Sequence, residues 1–202
     1  MLLPINPEHP EPRKVRRAVD ALEQGEVIAY PTDTVYGIGC DLFNKKAVDR
    51  IYLIKQLPKT HKLTFICPDL SDIARYAIVD NTQYRLLRRV LPGPYTFILE
   101  ATRDVPKIVQ SKRKTVGIRV PCNPVVQAIV RELGRPVITS SAVFPGDDEP
   151  FIDPQEIDNR FKGLAMVVDG GAGGFDPTTV VDITKGEVEV LREGAGPVID
   201  LY

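Results

Sequence analysis

Residues 95–101 read YTFILEA and residues 115–120 read TVGIRV, with residues 102–114 between them. Both runs are rich in β-branched and aromatic side chains, so both are predicted strands. The connection holds Pro106 and no long helical pattern. Parallel neighbours need a long crossover, usually a helix. This pair therefore interrupts any regular βαβ series and predicts a mixed sheet.

Working outward, helix-like and strand-like segments alternate. Towards the N-terminus, residues 12–25 open with Pro12, space Val15, Ala18, Val19 and Leu22 helically, and stop at Gly25. A buried strand is predicted at 27–30, a helix at 44–56, a strand at 63–67, and helices at 69–77 and 81–90. Towards the C-terminus, Asn123 caps a helix through Leu133, with Pro124 first and Gly134 after it. Strands follow at 137–141, 164–168, 178–183 and 187–191, with a polar loop at 145–154 and a short helix at 154–161. The fold class is α/β, read as one domain over residues 1–202 with a mixed sheet flanked by helices.

The 202 residues carry 26 Lys+Arg and 27 Asp+Glu, and 43% are apolar, which excludes a disordered chain. The net charge of −1 hides an asymmetry. Residues 1–119 hold 20 basic and 13 acidic side chains, and residues 120–202 hold 6 and 14. A uniformly basic nucleic-acid binder is excluded, whereas a localised anion-binding cleft is not. No apolar run is long enough to span a membrane, and MLLPINPEHPEP is not a signal peptide. The first residues read as a Pro-rich, mobile arm containing His9. Cys40, Cys67 and Cys122 form no C-x-x-C pair, so no zinc or redox motif is predicted. Reduced thiols and a cytoplasmic location are expected. With His61 the one other histidine and no G-x-S-x-G elbow, a Ser-His-Asp device has no support.

Four polar stretches stand at strand ends, where α/β proteins place ligands. YPTDTVYGIG (30–39) is dense in hydroxyls around one carboxylate. It reads as a binding segment or as a turn satisfied by its threonines. Lys55, Lys59 and Lys62 follow a helix, where they suit either the helix dipole or phosphates. Residues 111–119, SKRKTVGIR, end in a strand whose alternation sets Thr115, Gly117 and Arg119 on one face. Arg119 there is an anion ligand or half of an internal ion pair. Thr139-Ser140-Ser141 offers hydroxyls to an anion or a ribose. The glycines at 170–174 lack the G-K-[ST] ending of a phosphate loop, and Gly37-Ile38-Gly39 lacks a third glycine, so both are read as turns.

Together with PGPYTFIL (92–99), ITSSA (138–142), DGG (169–171), PTTVVD (177–182) and LREGAG (191–196), these stretches resemble the YrdC/YciO family of threonylcarbamoyl-adenylate synthases. The wording looks nearest to its YciO-like branch. The resemblance implies a YrdC-like fold with a concave basic cleft and no additional C-terminal domain. It implies a reaction of L-threonine, bicarbonate and ATP to threonylcarbamoyl-AMP and pyrophosphate, serving tRNA modification, with double-stranded RNA or tRNA as partner. It implies that Thr34, His61, Arg119 and Thr179 surround threonine. Lys55, Thr115, Ser141 and Arg192 would hold ATP, whose phosphates bring Mg²⁺. The alternative is a diverged YciO-like protein that binds double-stranded RNA or a nucleotide without synthesis. Two positions depart from the family. Leu57 stands where the family's K-x-R motif has arginine, and Val143 where its S-x-N motif has asparagine. Lys59 and Lys62 are the nearby cations able to stand in. One charge-assisted contact is worth roughly 1.5–3 kcal/mol, so Leu57 alone implies about a 10- to 100-fold loss.

Overall fold

The computed structural model describes residues 1–107, 109, 114–144, 146–147 and 149–202. The basic residues Lys112 and Arg113 lie outside the described residues. In chain order the elements are β1 (Leu2–Pro4), α1 (Pro12–Glu23), β2 (Ile28–Tyr30), β3 (Gly37–Asp41), α2 (Lys45–Ile54) and β4 (Thr64–Ile66). Then come α3 (Leu70–Tyr76), β5 (Ala77–Ile78), α4 (Asn81–Val90), β6 (Tyr95–Ala101), β7 (Thr115–Arg119) and α5 (Pro124–Leu133). The chain closes with β8 (Val137–Ser141), α6 (Pro154–Arg160), β9 (Met166–Asp169), β10 (Thr179–Asp182), β11 (Glu189–Arg192) and a 3₁₀ turn at Val198–Leu201.

One mixed sheet runs in the order β1-β9-β2-β3-β8-β4-β7-β6-β10-β11, with β5 beside β6. The strands β6 and β7 are antiparallel, as the short connection between them predicts, while β4–β7 and β6–β10 are parallel. Local signals set the helix ends. Asn44, Asp69, Asp80, Asn123 and Asp153 each accept backbone N–H bonds at an N-terminus. Gly134 ends α5 at φ 70°, a conformation that glycine adopts without strain.

Two expectations are corrected. The first residues are an edge strand, because Leu2–Pro4 pair with Val167–Asp169 and bury Leu3 and Ile5. Gly37 and Gly39 are not a turn but lie in β3, antiparallel to β2. They are glycines because the Tyr30 ring lies across them. A Cβ on Gly39 would stand 2.5 Å from the Tyr30 hydroxyl and 2.2 Å from the Ile138 carbonyl oxygen.

Strand alternation divides the core in two. One face packs Ala29, Ile38, Phe65, Phe97, Ile118 and Val181 against α2, α3, α4 and α6. The other packs Ile28, Tyr30, Ile66, Val137 and Val168 against α1 and α5. The second apolar layer covers only part of its face. Farther along the same face the residues turn polar, and a cavity opens over them.

Candidate active site

The cavity has a volume of about 610 Å³, in the usual range for ligand pockets. Thr139, Thr64, Gly117 and Ile98 form one cross-strand row on its floor. Gly117 is required there because a Cβ would stand 2.6 Å from the Thr64 methyl carbon. Thr96, Thr178 and Val180 extend the floor. The loop after α2 forms one wall with Lys55, Leu57, Pro58, His61 and Lys62. Ser141 at the end of β8, with Val143 and Phe144 after it, continues it.

At one end stands Arg119, in the last position of β7, with its side chain 7% exposed. Its Nη2 donates to Asp33 Oδ1 and to Thr34 Oγ1, both at 3.0 Å. Asp33 is fixed in turn, because its Oδ2 accepts the backbone N–H of Cys122 at 2.9 Å. Thr32 donates to the Val35 carbonyl at 2.7 Å, so Thr34 is the donor in the 3.2 Å contact between the two hydroxyls. The DGG loop supports this end. Gly174 N–H donates to the Thr34 carbonyl, and the Tyr36 hydroxyl donates to the Gly171 carbonyl at 2.7 Å. Burial pulls the Arg119 pKa down, and the Asp33 charge is the first force against it.

At the other end, Lys55 closes the C-terminus of α2 and is 3% exposed. Its Nζ donates to the Ser141 carbonyl at 2.5 Å and to the Val143 carbonyl, and stands 5.4 Å from the centre of the Phe161 ring. Burial pushes its pKa down to about 8. Burial also lowers His61, and the Lys55 charge adds to that. Arg192 donates to the Thr178 carbonyl at 2.8 Å and 3.2 Å, and burial lowers its pKa.

The lowered Lys55 pKa gives two opposite pH trends. Between about pH 8 and an ordinary lysine's range, the folded chain has released a proton that the unfolded chain keeps. Stability from this group therefore rises with pH there. Affinity for an anion falls over the same range, by up to about tenfold per pH unit, because only the ammonium attracts it. Unfolding midpoints and ATP titrations across that range measure both slopes, and Lys55→Met should flatten each.

Of the sequence-predicted residues, Lys55, His61, Thr115, Arg119, Ser141 and Arg192 line this one cavity. Thr34 stands behind Arg119, in contact with it. Thr179 does not line the cavity. Its hydroxyl donates to the Gly196 carbonyl at 2.6 Å and accepts the Gly194 N–H, so its role is to hold the chain after β11. Alternation sends its neighbour Thr178 to the cavity instead, where its hydroxyl meets that of Thr96 at 2.8 Å. Both departures, Leu57 and Val143, are on the wall. Of the two lysines able to stand in, Lys62 lines the cavity. Lys59 is engaged elsewhere, paired with Asp49 and set 4.7 Å from the centre of the Tyr52 ring. Sequence reading did not single out Thr64 or Thr96. Their alternation within strands was visible, but their place beside Gly117 needs the register.

The Sua5/YciO/YrdC family model, described as "Telomere recombination", matches residues 20–194. "Uncharacterized protein YciO" of Escherichia coli K12 is 44% identical over 196 residues, covering 96% of this chain and 95% of the relative. The crystal structure of E. coli YciO superposes with a TM-score of 0.95 over 100% of this chain and 99% of that one. "Threonylcarbamoyl-AMP synthase" of Vibrio vulnificus YJ016 is 32% identical over 183 residues, covering 89% of this chain and 98% of the relative. The crystal structure of P. abyssi Sua5 complexed with L-threonine is 27% identical with a TM-score of 0.92, over 100% of this chain and 59% of that one. The chain belongs to the Sua5/YciO/YrdC family.

Proposed function

We propose that the protein is an ATP-dependent L-threonylcarbamoyladenylate synthase. The observation that carries this reading is the convergence of Arg119, Lys55 and Arg192 on one hydroxyl-floored cavity. Arg119 takes the threonine carboxylate, beside Thr34. Bicarbonate and the threonine amine give a carbamate with loss of water. A carbamate oxygen then attacks the α-phosphorus of ATP, the bond to the bridging oxygen breaks, and pyrophosphate leaves. No covalent nucleophile is needed. The chain orients two anions and screens their repulsion through fixed cations. Lys55 and Arg192 attend the phosphates.

Mg²⁺ enters with ATP as part of the substrate. Among the described residues the cavity wall offers one carboxylate, Asp147, and no group of three His, Cys, Asp or Glu side chains exists. The ion would be held mainly by the phosphates and water. The product is the activated donor for a tRNA adenosine.

One observation favours a second reading. Leu57 and Val143 make the wall beside Lys55 apolar, which suits a protein that binds a nucleotide without making the adenylate. Pyrophosphate release with ATP, threonine and bicarbonate decides between them. The wild-type chain should release pyrophosphate well above a Lys55→Ala control. Equal release from both would remove the synthase and leave the binder. Among the described residues, no helix is long and apolar enough to cross a membrane.

A further inference from the structure

The donors of Arg119 are unevenly used. Nη2 has two protons, and Asp33 and Thr34 take both. The buried Nε has no hydrogen-bond partner among the described residues. An arginine N–H buried without an acceptor is costly, and a ligand oxygen that relieved it would have to shift the groups that cover it. Asp33 is also held from its other side by the Cys122 amide, at 10% side-chain exposure. A carboxylate with both oxygens bonded and little solvent access is poorly placed to leave.

We propose that Asp33 is a positioning residue for substrate carboxylate recognition: it stays on Arg119 Nη2 during binding and presents the unpartnered Nε to the incoming carboxylate. This rests on the threonine-binding reading above. The structure also frames an opposite role. Asp33 is itself a carboxylate on Arg119, so it can act as an internal competitor that the substrate must displace. The two roles differ in sign. A positioning residue helps binding, and its loss weakens it. A competitor hinders binding, and its loss tightens it.

The test is threonine binding by calorimetry to the wild-type chain and to Asp33→Asn, with ATP binding measured in parallel. Asparagine keeps the size but removes the charge that orients the guanidinium. Threonine affinity should fall about tenfold or more, on the scale of one hydrogen bond to a charged group. ATP affinity should fall far less than threonine affinity, because Lys55 keeps its carbonyl partners and Arg192 its bonds to Thr178, whereas a general loss of structure would weaken both alike. Unchanged or tighter threonine binding overturns the proposal. If Asp33→Asn does not fold, a crystal structure of the wild-type chain with L-threonine decides. It should keep Asp33 within hydrogen-bond distance of Arg119 and set a ligand oxygen on Nε. Displacement of Asp33 by the ligand overturns it. A wild-type chain that binds no threonine overturns both this proposal and the synthase reading. A chain that binds threonine but is indifferent to Asp33→Asn overturns this one alone.

Discussion

Replacing Arg119 with Met should abolish threonine binding and lower folding stability by about 3–5 kcal/mol. The stability loss comes from the Asp33 carboxylate, which is 10% exposed and would lose its charged partner at 3.0 Å. Removing one member of a buried pair leaves an uncompensated charge in a medium that solvates it poorly. For a chain of this length the fall corresponds to an unfolding midpoint roughly 6–20 °C lower. Adding Asp33→Asn to Arg119→Met should recover a large part of that fall, since the stranded charge is then gone. Threonine binding should stay lost in the double variant. Thermal unfolding of the three proteins measures the first effect, and calorimetry the second. A single variant as stable as wild type would mean that Asp33 finds solvent or another cation, and the buried-pair account would be wrong.

The combined change Leu57→Arg and Val143→Asn should raise pyrophosphate release about 10- to 100-fold at subsaturating ATP. Leu57 is well placed to carry a new charge. Its backbone N–H donates to the Tyr52 carbonyl at 2.9 Å, and the half-buried residue lines the cavity beside Lys55 and Lys62 while its side chain also packs against the apolar core. Lys59 does not supply the charge, because Asp49 and the Tyr52 ring hold it outside the wall. In the absence of ATP the new arginine would repel Lys55 and cost some stability. With ATP bound, the phosphates offset that repulsion, so the gain should appear mainly as a lower KM. An unchanged rate would mean that the apolar wall does not limit the ATP reaction.

Much of the architecture was legible in the sequence because local signals govern it. Among the described residues, the α-helices start at Pro, Asn or Asp signals or stop at Gly. Most strands were visible as β-branched runs. The misreadings have physical causes. Leu2–Pro4 is too short and too close to prolines to announce a strand, and it becomes one only because β9 offers it an edge. Gly37-Ile38-Gly39 looks like a turn because glycine is rare in strands. Here the glycines make room for the Tyr30 ring, which arrives from the neighbouring strand.

The site was legible as chemistry but not as geometry. Arg119 was left open as an anion ligand or an internal ion pair, and the structure shows the ion pair, with one buried donor unused. Thr179 was the candidate in PTTVVD, but the orientation of the sheet sends its neighbour Thr178, which the sequence did not single out, to the cavity instead. The positive balance of residues 1–119 indicated where anions would be met, but Arg192 comes from the acidic remainder. Composition, spacing and alternation thus determined the class of fold, the residue types and the faces of each strand, because these depend on neighbours in sequence. Which face meets which, whether Asp33 reaches Arg119, and that Lys59 is engaged while Lys62 lines the wall were decided by the tertiary structure alone. Those relations depend on register and packing between segments as far apart as Asp33 and Arg119, and no local pattern encodes them.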